Sequence, residues 1–155
     1  MRSSTARKAG ARLDLDRFMP YRLSVLSNRV SGAIAREYSE RFGLTVPEWR
    51  VMAVLGGAPG LSARDLVERT GMDKVQVSRA VAALMKRKRV ARRADTEDRR
   101  VMRLALTPKG EAVYAEIVPM AKKLEAAFLS SLDEGERATL DRLLKRLSQQ
   151  AERLA

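Results

Sequence analysis

Apolar residues recur at three- and four-residue spacing early in the chain. Leu23, Leu26, Val30, Ala33 and Ile34 form one stripe, with the period of an amphipathic helix. The pattern predicts a helix from Asp14 to about Phe42, closed by Gly43. Thr45-Val-Pro-Glu48 opens a second helix, with Thr45 as N-cap, Pro47 in the first turn and Glu48 completing a capping box. It carries Trp49, Met52, Ala53 and Leu55 and is expected to stop at Gly56-Gly57-Ala-Pro-Gly60. Ser62 with Asp65 starts a short third helix whose inner side is Leu66 and Val67, and Gly71 is placed as its C-cap. Asp73 with Gln76 starts a fourth, running to about residue 88. Two short capped helices joined by a three-residue glycine turn make a helix-turn-helix.

The period then changes. Val90-Ala-Arg-Arg93 reads as a strand, Asp95-Thr-Glu-Asp98 as a turn, and Arg100 to Leu106 alternates with Met102, Leu104 and Leu106 on one face. This is a β-hairpin with an arginine-rich tip. Thr107-Pro108 begins another helix, with a stripe of Val113, Ile117, Met120, Leu124 and Phe128 and a bend expected at Pro119. Asp133 and Glu136 cap a last helix striped by Leu140, Leu143, Leu144, Leu147, Ala151 and Leu154. These two stripes are too apolar for solvent. An intramolecular bundle and a dimer would each bury them. The fold class is therefore mainly α with a small β-hairpin wing, a winged helix-turn-helix plus a helical region that a bundle or a dimer would close. Residues 1–13 are expected to be a disordered basic tail, 14–42 and 108–155 that helical region, the dimerisation region if a second copy covers it, and 43–107 the winged helix-turn-helix lobe.

The fourth helix carries the most specific surface. Projected at about 100° per residue, Val77, Ala80, Val81 and Leu84 fall on one side. Val75, Arg79, Ala82, Ala83 and Lys86 fall on the other, flanked by Gln76 and Ser78. A solvated helix face is ordinarily filled with Glu and Lys pairs. Short side chains with Gln, Ser and Arg instead let a helix sit in a major groove, where Gln suits adenine, Arg suits guanine and Val touches a thymine methyl. The competing reading is a plain surface helix with a basic end.

Composition sharpens this. The 155 residues carry a net charge of +12, the footprint of a polyanion binder. Nine basic residues (Lys86, Arg87, Lys88, Arg89, Arg92, Arg93, Arg99, Arg100 and Arg103) against three acidic ones lie on and just before the hairpin. A hairpin beside a groove-bound helix can lay arginines in the adjacent narrow minor groove. A solvated charged hairpin is the bland alternative. With no Cys and no His, disulfides, thiolate zinc sites, thiol redox sensing and histidine acid–base chemistry are excluded. No catalytic, metal or cofactor site is expected, and the chain is not read as an enzyme. No apolar run approaches a membrane span, and the first residues lack a hydrophobic leader segment, so a cytoplasmic location is expected.

Asp98-Arg99-Arg100, then Leu106-Thr107, then Gly110 resemble the wing signature of the MarR family of bacterial regulators, D-x-R followed by L-T-x-x-G. Leu44-Thr45…Trp49-Arg50-Val51, Leu61-Ser62-Ala-Arg-Asp65-Leu66, Ser78-Arg79…Leu84 and Leu132…Glu136…Leu140 resemble that family's second helix, helix-turn-helix start, recognition helix and final helix. The resemblance covers roughly residues 18 to 150. It implies a homodimer built from the first and last two helices, with two winged lobes meeting the half-sites of a pseudopalindromic operator. One departure is Lys88-Arg89, which stands where the family has a glycine after the recognition helix.

The DNA contacts so expected are Ser62, Arg64 and Lys74 on phosphates, Val75, Gln76, Ser78 and Arg79 on bases, and Lys86, Arg99 and Arg100 on the flanking backbone and minor groove. Asp98 has a structural role in the wing. Members of the family bind small anionic or phenolic effectors, and such a pocket is sought in the polar stripe Ser24, Ser27, Asn28 and Ser31 with Trp49 and Arg50. Close packing of small serines, with Arg50 reaching solvent, is the alternative. The reading is a sequence-specific double-stranded DNA-binding regulator, a repressor released by an aromatic acid. The rival is a sequence-tolerant architectural DNA- or RNA-binding protein, which seven aromatics with no stacking platform on the hairpin do not favour.

Overall fold

Side-chain caps set where most of the helices begin in the computed structural model, which describes residues 12–154. Helix α1 spans Met19–Phe42. It starts later than the apolar pattern suggests because Pro20 fits only a first turn. In a helix begun at Asp14 its ring would strike the carbonyl four residues back. Residues 15–17 instead form a turn, in which Arg17 N–H donates to the Asp14 carbonyl at 3.2 Å. Most of the tail expected over 1–13 lies outside the described residues. Gly43, at φ 63°, closes α1.

Helices α2 (Val46–Gly57), α3 (Ala63–Thr70) and α4 (Lys74–Lys86) each begin with the expected capping box, on Thr45/Glu48, Ser62/Asp65 and Asp73/Gln76. Helix α2 ends at Gly57, within the Gly56–Gly60 segment expected to stop it. Gly56 is still inside the helix, and a Cβ there would lie 2.5 Å from the ring of Tyr114, so this glycine also admits an aromatic side chain. Gly71, at φ 65°, caps α3.

Strands β1 (Val90–Ala94) and β2 (Met102–Leu106) pair antiparallel, from Val90 opposite Leu106 to Ala94 opposite Met102. The second strand starts two residues later than the alternation predicts. Arg100 and Val101 belong to the turn, where Val101 N–H donates to the Asp98 carbonyl and Asp95 N–H to the Val101 carbonyl. Leu61, ahead of α3, adds a bridge to Leu104, which anchors the hairpin to the helix-turn-helix.

Helix α5 (Pro108–Phe128) is capped by Thr107, whose hydroxyl accepts from Gly110 N–H at 3.0 Å and donates to the Lys88 carbonyl at 2.6 Å. A 3-10 turn, Leu129–Ser131, leads to α6 (Glu134–Leu154), capped by Asp133 with Glu136.

One apolar cluster organises the lobe. Val51, Met52, Leu55, Leu66, Val77 and Leu84 from α2–α4 pack with Val90 and Leu104 of the hairpin. Tyr38 of α1 and Val113 and Ile117 of α5 complete it. Two of the helices outside the lobe, α1 and α5, thus enter its core. The far end of the chain behaves differently. Helix α6 buries none of its described residues, and Leu143, Leu144 and Leu147 are 42–50% exposed. The expected apolar stripe is present, and no intramolecular bundle among the described residues covers it.

Between α4 and β1, Lys88 holds φ 58°, the left-handed region. A residue with a Cβ costs about 1–2 kcal/mol there, and glycine's greater freedom in the unfolded chain offsets about 0.5–1 kcal/mol of the relief. Lys88→Gly is therefore expected to raise stability by about 0.5–1 kcal/mol. The change should appear as a higher urea midpoint at unchanged slope. A lower midpoint would show that the lysine contributes more there than its strain costs.

Candidate nucleic-acid interface

Helix α4 divides as the wheel predicts. Val77, Ala80 and Leu84 are buried, while Gln76, Ser78, Arg79, Ala82 and Lys86 are exposed and Val75 is 57% exposed. Ala83, placed on the outer face by the projection, is half-buried. The cap constrains what Gln76 offers. Its Oε1 accepts from the Asp73 N–H at 3.3 Å while its own N–H donates to Asp73 Oδ1 at 2.8 Å. The amide oxygen is engaged, so its NH₂ is the group presented outward.

Ser62 is engaged more completely. Its N–H and hydroxyl each donate to Asp65 Oδ2 at 2.8 Å, and its oxygen accepts from Asp65 N–H at 3.2 Å. Those bonds hold the Asp65 carboxyl below the usual carboxylate range, with Arg103 adding to the effect. Arg64 is exposed and pairs loosely with Glu68, and Lys74 is exposed at the start of α4. Arg64, Lys74, Ser78 and Arg92 rim an open groove of about 670 Å³ between α3, α4 and the hairpin, floored by Val67 and Val81. Cations therefore surround a concave surface on the side where α4 presents its short residues.

The wing turn is built on two aspartates. Asp95 Oδ1 accepts from Glu97 N–H at 2.8 Å and Asp98 N–H at 3.2 Å. Its Oδ2 meets Arg103 Nε at 2.6 Å, and Arg103 also lies 3.9 Å from Asp65. Asp98 Oδ1 accepts from the backbone N–H and Nε of Arg100 at 3.0 and 3.2 Å. Arg99 and Arg100 stand exposed at the tip. Sequence reasoning singled out Asp98 and missed Asp95, although an aspartate opening a tight turn is itself a signal. The Arg103–Asp65 approach has no local signal, because those residues meet only when the hairpin docks on α3.

The residues considered for an effector site are partly brought together. Arg50 Nη2 donates to Ser31 Oγ at 3.5 Å. Trp49 lies between Tyr38, 5.8 Å away centroid to centroid, and Tyr114, stacked at 6.0 Å. Burial pushes the Tyr38 phenol up to about 12, against the charge of Arg50, which lowers it. Ser24, Ser27 and Asn28 lie exposed on preceding turns of α1. Tyr38 and Tyr114 were not singled out from the sequence. Tyr38 stands seven residues beyond Ser31 and so on the same helix face.

The wing turn has a defined acid response. The Arg103 hydrogen bond, with the Glu97 and Asp98 N–H groups, lowers the Asp95 carboxyl to about 2. Its folded-state value is depressed, so its stabilisation is complete above the unfolded value near 4 and is lost as pH falls towards 2. Wild type is expected to melt above Asp95→Asn at neutral pH, with the gap closing between about pH 4 and 2. A gap that stays constant across that window in paired circular-dichroism melts would contradict the assignment.

Comparison with known proteins completes the description. The model of the MarR family matches residues 42–101, from the end of α1 into the wing. The chain is 30% identical over 116 residues to the HTH-type transcriptional repressor MdtR of Bacillus subtilis, covering 75% of each chain. It superposes on a MarR/EmrR family regulator from Acinetobacter sp. ADP1 with a TM-score of 0.84 at 28% identity, over 91% of this chain and 99% of that one. Bordetella bronchiseptica BpsR, described with 6-hydroxynicotinic acid, superposes with a TM-score of 0.76 at 27% identity, over 89% and 98%. With its capped recognition helix, arginine-tipped hairpin and these relatives, the chain belongs to the MarR family of winged helix-turn-helix transcriptional regulators, which are DNA-binding proteins and not enzymes.

Proposed function

We propose that this regulator is a repressor that binds a pseudopalindromic operator as a homodimer and is released by a small aromatic acid. The observation that carries DNA reading is the outer face of α4, with Val75, Gln76, Ser78 and Arg79 exposed beside a cation-rimmed groove and an arginine-tipped hairpin. In this reading Arg64, Lys74, Lys86 and the hairpin cations neutralise phosphates, which gives steep salt dependence. The α4 residues meet base edges, and Arg99 or Arg100 enters the minor groove. Ser62 contributes as the cap that orients α3, since its hydroxyl and N–H are spent on Asp65. The segment 43–107 acts as the DNA-binding lobe, and 14–42 with 108–155 as the dimerisation region.

Dimerisation is supported by the uncovered apolar stripe of α6. Leu23 and Leu26 of α1 are also exposed, and a groove of about 560 Å³ between α1, α5 and α6 is lined by Val30, Ile34, Phe128, Leu140 and Leu144. Contiguous apolar surface of this kind marks an interface. No helix among the described residues is long and apolar enough to cross a membrane, and we place the protein in the cytoplasm with the DNA it regulates. Repression is favoured by MdtR, which is named a repressor. An aromatic acid is favoured by BpsR, whose DNA binding is regulated by 6-hydroxynicotinic acid, and by Arg50, a cation beside Ser31 and the Tyr38–Trp49–Tyr114 cluster.

Two experiments test this. A duplex selected by the wild-type protein from a random library is titrated against a scrambled duplex at two salt concentrations. Arg79→Ala is expected to lower the discrimination about tenfold, and Arg100→Ala to weaken binding mainly where the flank is A·T-rich. Equal affinity for all sequences, before and after substitution, would favour an architectural role. The second experiment adds 6-hydroxynicotinic acid to the protein–DNA complex. Release is expected for wild type and reduced release for Arg50→Ala and Asn28→Ala. Unchanged release in both variants would place the effector elsewhere.

A further inference from the structure

The segment between the recognition helix and the wing carries two arginines that turn back to the end of α1. Arg87 Nη1 donates to the Gly43 carbonyl and lies 3.3 Å from Glu48 Oε2. Arg89 Nη2 donates to the Phe42 carbonyl at 2.7 Å. Those carbonyls end α1, where backbone acceptors lack helical partners and the helix dipole is negative. Glu48, with its side chain 7% exposed, also accepts from Thr45 N–H. The same segment binds α5 through the Lys88 and Arg89 carbonyls, which accept from Thr107. The ends of α1 and α4 and the start of α5 thus meet on residues 87–89.

This junction is held at a cost. Arg89 Nε and Nη1 are buried with no acceptor among the described residues. Burial, then the charge of Arg87, lowers the Arg89 pKa. Lys88 between them is left-handed. A leucine at 89 would strand no buried donors. Stability alone therefore does not account for the arginine, whereas a directional tie between helices does. The other polar pairings of α1 are weaker ties. Arg41–Glu116 is exposed and runs to α5, and Arg50–Ser31 is at the 3.5 Å limit of a hydrogen bond.

We propose that Arg87 and Arg89 form a latch fixing the angle between α1 and the recognition lobe, and so set the separation of the two recognition helices in the homodimer. This rests on the homodimer reading above. Both arginines are positioning residues here, because the latch acts through the placement of α4 rather than by touching bases.

The chain has no cysteine, so Arg69→Cys on the exposed surface of α3 places one spin label per protomer. Pulsed electron paramagnetic resonance then reads the distance between the two lobes without DNA. A narrow distribution is expected for the otherwise wild-type protein, a broadened or shifted one for Arg87→Gln/Arg89→Leu, and a largely restored one for Arg87→Gln alone or Arg89→Lys alone. In parallel, affinity is compared for the selected duplex and for the same duplex with one base pair inserted between half-sites, which turns the second half-site by about 35°. Base and phosphate contacts largely cancel in that ratio. The double variant is expected to lose about tenfold of the spacing discrimination.

An unchanged distance distribution and spacing ratio in a folded double variant would overturn the latch and leave the homodimer reading standing. Absence of any inter-protomer distance in the wild-type background would overturn both. If the double variant does not fold, Arg89→Leu alone gives the same two readings, because it removes the stranded guanidinium and leaves Glu48 paired with Arg87. An unchanged distribution in that variant likewise overturns the proposal.

Discussion

The first turn of α5 and the carbonyl of Arg89 approach so closely that residue 110 has no room for a side chain. A Cβ on Gly110 would collide with the Arg89 carbonyl oxygen. The approach lets Thr107 donate its N–H to Arg89 and its hydroxyl to Lys88. Arg89 N–H in turn reaches the Leu84 carbonyl at 2.9 Å, and Val90 then starts β1 opposite Leu106. Backbone groups that would otherwise be stranded at a helix end and a strand end satisfy one another. Recognition helix, wing and α5 diverge from this one point, so a few hydrogen bonds act with the shared apolar cluster in setting their mutual directions.

Charge is handled differently at short and long range. The net charge of +12 acts over the whole surface, drawing the protein to a polyanion and making binding sensitive to salt. Within the lobe the acidic residues have a local task. Asp95 ties the turn to Arg103, Arg103 reaches towards Asp65 at the head of α3, and Asp98 holds the backbone of Arg100. Carboxylates spent on backbone N–H groups and on one arginine each order the hairpin and still leave its cations in excess. Exposed pairs such as Arg64–Glu68 add little to stability by comparison.

The apolar surface is also divided. The lobe closes its core with the help of Tyr38 of α1 and Val113 and Ile117 of α5, leaving Val51, Met52, Leu55 and Leu66 almost inaccessible to solvent. The outer half of α1 and all of α6 present leucines that none of the described residues of the single chain covers. A joint made of directional hydrogen bonds can fix an angle between such parts more narrowly than apolar packing alone. The arginines at 87 and 89 are joints of that kind.

Local rules made much of this legible in the amino-acid sequence. The capping boxes at Thr45, Ser62 and Asp73, the glycine caps at 43 and 71, the hairpin and the buried side of α4 follow from spacing and residue type, because each depends on residues within a turn or two of one another. The exposed face of α4 was readable for the same reason. Where local cues competed, a nearby constraint won: Pro20 delayed α1, and the Asp95 and Asp98 bonds delayed β2.

Tertiary structure decided what depends on distant residues meeting. Gly56 reads only as part of a helix stop, and the fold shows that it also makes room for the ring of Tyr114. Arg89 reads as one more wing cation until it turns inward to Phe42, and Arg103 acquires its partners only when the hairpin docks. Whether the α6 stripe closes a bundle could not be read from its period, since an apolar face records that it needs a cover and not which surface supplies it. The sequence by itself determined the elements and the chemistry of the recognition face, because those are short-range; the three-dimensional packing determined how that face is aimed, because aim is set by contacts between residues far apart in the chain.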